Sequence, residues 1–285
     1  MRNLFPSFVK YAFISALATS FVGGLTAGLG QGFDLGTQWP GPVLTMVLLA
    51  ISGSFEPIHR FLTVLTSALY VAVFAYSLRI RSRVVVGLAA LALAFLIATA
   101  LTGRAVLLVL GGEIKPPLAF AIYPLNNSLA LLTAATMALL WSLVTPVKTY
   151  SHILAYRGAA FWGFVASVSG AYILGYHKIT KTPLSYSIPP ALTASEIPWI
   201  IHLVAAALSV ALAIYAFLKS GERDFWHWAA LTSALAQPIT GVLMFVGASR
   251  DPWAPGPQTA LHAVFAHLLV ISAFFIYARG RFGRR

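Results

Sequence analysis

The 285-residue chain contains no cysteine, which excludes disulfides, thiolate nucleophiles, iron–sulfur clusters and thiolate-ligated heme. Charge is scarce too. Only 9% of residues are Asp, Glu, Lys or Arg, against roughly a quarter in an average soluble domain. With 59% hydrophobic residues, that scarcity excludes a soluble enzyme, a disordered tail protein and a nucleic-acid module. What the chain has instead is long apolar runs. Each bilayer crossing takes about 20 apolar residues plus a connection, so the length accommodates eight crossings.

Runs bounded by Gly, Pro or charge place the spans near 8–30, 55–78, 84–110, 118–143, 158–177, 197–218, 227–247 and 260–278. The first run is too long for a signal-peptide core and reads as a retained helix. The net charge of +12 would suggest an anionic partner in a soluble protein, but here its location matters more. One set of connections carries 13 of the 19 basic residues: Arg2, Lys10, Arg79, Arg81, Arg83, Lys148, Arg157, Lys219, Arg223, Arg279, Arg281, Arg284 and Arg285. Short basic loops stay in the cytoplasm, so both termini are expected inside. Asp34, Glu56, Glu113, Glu196 and Asp251, five of the 7 acidic residues, fall on the outer side. Between the first two spans, residues 43–51 form an apolar stretch too short to cross, expected in the interface or over the bundle mouth.

The chain also reads as a repeat. His59 opens span two and His202 opens span six, at a separation of about half the chain. A glutamate precedes each, Glu56 and Glu196, and small residues sit near the outer ends of spans one and five. The offset of four spans is even, so the repeat is parallel. The expected architecture is an all-α integral membrane protein of two pseudo-symmetric four-helix bundles, residues 1–147 and 148–285. Gly24 and Gly28, four apart, read as a close helix–helix contact.

Of seven histidines, His152, His177 and His227 lie in or beside connections, where an imidazole is cheap. His59, His202, His262 and His267 stand at the outer ends of even-numbered spans, where ionisable groups usually face a bundle interior. His202 and His262 share a bundle and a depth. They are either a hydrogen-bonded polar pair or ligands to a heme iron held across the bundle. His267, five residues on, points roughly 140° away from His262. Glu56 and His59, three apart, share a helix face. Together with Arg60 they suit a proton relay, a metal pair, an acid–base pair or an anion site, or simply a polar cluster at a helix end.

These residues together resemble the heme A synthase family. The likeness is carried by Gly24-Leu25-Thr26 through Gly32, Trp39-Pro40, Glu56 with His59-Arg60, Ser169-Gly170-Ala171, His202, Gln237 with Gly241, and Leu261-His262. It spans nearly the whole chain. The resemblance implies two fused bundles with histidine ligands on even-numbered spans. The C-terminal bundle would hold heme b through His202 and His262. The N-terminal bundle would take heme o as substrate, with His59 as the metal ligand beside the iron, Glu56 by the reacting methyl group and Arg60 on a propionate. The implied reaction oxidises that methyl to a formyl group by successive hydroxylations, with heme b relaying electrons. The implied partners are heme o and heme A, a heme o synthase, a terminal oxidase and the lipid bilayer, with no nucleic acid.

Two departures stand out. The family has a fourth histidine near the start of span four, where Asn127 is the best positional match here and would be the cofactor-binding counterpart. The cysteine pair that many members carry in an outer loop is absent. The Asn127 departure keeps a second expectation alive, a heme-binding electron-transfer or heme-handling protein without methyl oxidation. The parallel repeat raises a third, a secondary transporter, but the polar residues cluster at the rim rather than the midplane.

Overall fold

The computed structural model describes residues 4–39, 41–80, 82–145, 150, 152–183, 196–221 and 223–282. Pro40 of the Trp-Pro element, Arg2, Arg81, Lys148, Arg284 and Arg285 lie outside them, as does the junction at 147/148 between the expected bundles. Within the described residues the chain is all-helical, with eight helices long and apolar enough to span a bilayer. This is a multi-pass membrane protein.

The spans are α1 (Phe5–Gly28), α3 (Glu56–Ile80), α4 (Arg83–Leu110), α5 (Leu118–Val144), α6 (Ile153–Thr180), α7 (Glu196–Lys219), α8 (Phe225–Arg250) and α9 (Gln258–Phe282). The additional helix α2 (Val43–Ile51) has no buried residue and packs chiefly against α3. Its length, about 14 Å at 1.5 Å per residue, cannot cross a hydrocarbon core.

Helices α1, α3, α4 and α5 form one ring of neighbours, and α6, α7, α8 and α9 form another. The rings meet where α1 and α5 pack on α9 and α5 packs on α6. Lipid tails are as apolar as leucine, so this seam depends on close van der Waals fit. Gly24 and Gly28 supply it: a β-carbon at either would run into the backbone of Ala260 or Gly256 at distances of 2.8 and 2.3 Å. Towards the inner end Phe13, Trp141, Trp226 and Phe275 touch ring to ring in sequence, tilted, then edge-on, then stacked with centroids 4.1 Å apart, and join α1, α5, α8 and α9.

Asp224 starts α8 with a capping box. Its carboxylate accepts from the backbone amides of Trp226 and His227 and from the Tyr150 hydroxyl, and pairs with the buried His227 ring. Burial alone would raise this carboxyl, but the hydrogen bonds from His227 and Tyr150 outweigh it and hold the group below the usual carboxylate range. Asp224 therefore stabilises the fold above its unfolded pKa, and that contribution is lost as pH falls through the depressed folded value. Asp224→Ala is expected to cost about 1 kcal/mol. The difference from the unsubstituted protein should shrink at acid pH, as followed by thermal unfolding in detergent.

Candidate heme-binding site

The outer half of the second ring encloses a cavity of about 730 Å³ lined by α6, α7, α8 and α9, with His202 and His262 in its wall. Their ring centroids are 6.2 Å apart and their planes 64° apart. Both rings are held from behind. The Nδ1 of His202 lies 2.8 Å from the Ala166 carbonyl, which can only accept, so Nδ1 carries the proton. The Nδ1 of His262 lies 3.2 Å from the Thr240 hydroxyl, whose own proton goes to the Ala236 carbonyl. His262 is therefore the same tautomer. Among the described residues neither Nε2 has a hydrogen-bond partner, and each keeps a lone pair.

Small residues make room for the rings. A β-carbon on Gly170 would stand 2.9 Å from Cε1 of His202, and one on Gly241 would stand 3.2 Å from Cε1 of His262. Trp199 stacks on His202 at 6.0 Å, and Gln237 donates to the His262 carbonyl at 3.0 Å.

The first ring repeats half of this arrangement. His59 donates from Nδ1 to the Thr19 carbonyl at 3.0 Å, and Gly23 faces its Cε1 as Gly170 faces that of His202. His59 lines a smaller cavity of about 340 Å³, which is also bordered by Glu56, Arg60, Trp39, Asn126 and Asn127.

Across that cavity the arrangement differs from the sequence expectation. The position corresponding to His262 is Asn126. Its amide oxygen bonds Thr102 at 3.0 Å and faces Gly103, as His262 bonds Thr240 and faces Gly241. Asn127 is turned into the seam. Its amide nitrogen donates to the Ser167 hydroxyl at 2.9 Å, and its oxygen lies 3.2 Å from Nε2 of His267. His267 is thus a seam residue, separate from the His202–His262 pair, and its buried Nδ1 has no partner among the described residues. His177 is buried and turns Nδ1 to Thr182 at 2.9 Å.

Glu56 and Arg60 form a buried ion pair, each with 3% of its side chain exposed. The other Glu56 oxygen accepts from the Leu35 amide at 3.1 Å. Arg60 also donates to the carbonyls of Gly36, at 3.2 Å, and Gln38. Ser54 bonds Asp34 at 2.6 Å, and Gln31 accepts from the Phe55 amide at 2.9 Å. The pair thus pins the 29–39 loop over the cavity mouth, and a propionate would have to share Arg60 with that loop. Trp199 occupies the place in the second ring that corresponds to Glu56, counting from the two histidines. Carboxylate and indole at matched positions make the two cavities chemically unlike.

The donor set of the second cavity fits a heme. Two neutral imidazoles on opposite sides of one metal, with metal–nitrogen bonds of about 2 Å, would have ring centroids about 6 Å apart. The cavity volume is within the ~300–1,000 Å³ of small-molecule and cofactor sites. Sequence reasoning missed Asn126, Thr240 and Trp199. Superposing the two halves by helix number would have exposed the first two, since Thr102-Gly103 and Thr240-Gly241 are the same dipeptide. No protein-family model matches the chain, and a search of curated proteins finds no match.

Proposed function

We propose that the chain is a heme A synthase-type oxidoreductase. It would bind heme b in the C-terminal cavity and oxidise a methyl group of heme o in the N-terminal cavity to a formyl group. The observation that carries this reading is the His202–His262 pair, two facing imidazoles tied back through Nδ1 and lining a large apolar cavity. The recurrence of that histidine arrangement at His59, beside a buried carboxylate, supports a second porphyrin site of different chemistry.

His202 and His262 would hold heme b, which would supply one-electron transfer at a potential tuned by these imidazoles and by burial. Ala166 and Thr240 keep the two ligands in one tautomer and orientation. In the N-terminal cavity, His59 would bind the iron of the substrate. Asn126, the counterpart of His262, offers an amide, a weaker iron donor than imidazole, so His59 would be the stronger donor of the two. Glu56 would act at the methyl group. As electrons leave that carbon positive charge develops on it, and a preorganised carboxylate stabilises such charge and orients water.

Incubating the purified protein with heme o and an electron acceptor, then chromatographing the extracted pigments, tests the reading. Hydroxymethyl and formyl products are expected. Unchanged heme o in the presence of intact, heme-loaded protein would reject the enzyme. Asn126 favours one alternative, a heme-binding electron-transfer or heme-handling protein without methyl oxidation, since the first cavity lacks the second imidazole. That protein would carry the heme spectrum and give no product.

A further inference from the structure

A cation from the second ring reaches the first cavity. Lys178, near the end of α6, is 5% exposed and borders the cavity that holds His59 and Glu56. Its ammonium donates to the Ala27 carbonyl at 2.6 Å, at the C-terminal end of α1, and to the Trp253 carbonyl at 2.8 Å. The Trp253 ring lies 5.7 Å away and covers it. Lys178 makes no ion pair among the described residues. Asp251, close in sequence to Trp253, directs its carboxylate to the amides of Trp253 and Ala254.

An ammonium has three donors, and two are taken here. Burying a cation without a directly paired countercharge is costly, and two carbonyls and the through-space field of Asp251 offset only part of that cost. The third donor and the incompletely compensated charge stand at the edge of a largely apolar chamber. An apolar ligand bearing an anionic arm would satisfy both. Arg60, the other buried cation on this cavity, is bonded to Glu56 and to the loop carbonyls.

We propose that Lys178 is the anion anchor of the N-terminal cavity and pairs with a carboxylate arm of the porphyrin that enters it. The proposal rests on the porphyrin reading of that cavity, to which it adds the orienting group. Because Lys178 is buried beneath Trp253, the partner is a carboxylate inside the chamber rather than a lipid headgroup. The C-terminal half would then contribute to the function of the N-terminal one by orienting its ligand.

The test uses full-length protein loaded with one equivalent of heme b and titrated with metal-free protoporphyrin IX or its dimethyl ester, read by tryptophan quenching. The wild type should bind the free acid about tenfold or more tighter than the ester, the scale of one charge-assisted hydrogen bond. Lys178→Met should erase that preference by weakening the acid alone, and Lys178→Arg should restore it. If Lys178 only pins α1 to the α8–α9 loop, Lys178→Met will weaken acid and ester equally. That result, or no change in either, overturns the anchor while leaving the porphyrin reading intact. A wild type that takes up heme b but no second porphyrin overturns the anchor together with the substrate-site reading.

Discussion

His202→Ala and His262→Ala are each expected to abolish the low-spin heme spectrum of the purified protein, while His59→Ala leaves it in place. The physical basis is that the two rings act as a unit. With one removed, an iron porphyrin in the large cavity would keep a single axial nitrogen, and its absorption would shift to a high-spin form or disappear with loss of the pigment. Thr240→Val gives a finer test, because it removes only the group that accepts from Nδ1 of His262. Loss of such an outer partner typically costs roughly 10–100-fold in metal affinity, so heme should still load but dissociate faster. Equal heme content and spectra in wild type and both alanine variants would refute the bis-imidazole site.

Glu56→Ala is expected to do more than stop methyl oxidation. Arg60 would be left buried without its carboxylate, and breaking a buried pair from one side costs about 3–5 kcal/mol. The 29–39 loop would also lose the acceptor for the Leu35 amide. Loss of activity in that variant could therefore come from loss of the lid. Glu56→Gln narrows the ambiguity: its single amide oxygen can still accept from either Arg60 or the Leu35 amide, though not from both, and it carries no negative charge. If Glu56 stabilises charge at the methyl carbon, Glu56→Gln should be more stable than Glu56→Ala and, in the fraction that stays folded and heme-loaded, should convert heme o at least about a hundredfold more slowly than the wild type, the lower range for removing one electrostatic stabiliser. Wild-type turnover in Glu56→Gln would reduce Glu56 to a structural residue.

Much of the architecture was legible in the sequence because a bilayer leaves few options. Apolar runs of span length must be helices, and the nine-residue 43–51 stretch could only lie aside. The parallel repeat was visible in the matched positions of His59 and His202, and both rings donate from Nδ1 to a carbonyl of the preceding span. The contacts of long side chains were not legible. The resemblance puts Arg60 on a propionate, and the structure adds that its guanidinium reaches the carbonyls of a loop whose path no local pattern specifies. Lys178 has acceptors 151 and 75 positions distant in sequence, which no local pattern specifies. The exchange of Asn127 for Asn126 has a simple cause. Span starts fix register only to within a residue or so, and one residue is 100° of rotation on a helix, enough to turn a side chain from the cavity into the seam.

Asn127, Ala171, Leu174, Thr259 and Ala263 border both cavities, so the two chambers have a party wall. A bulkier residue there would narrow both rooms together, and a smaller one would thin the wall between them. The outward-facing walls of either chamber are therefore free to change independently, but this partition only by compromise between the two. Among relatives of this chain, the slowest drift in small and polar residues should run along that common boundary rather than around either histidine alone.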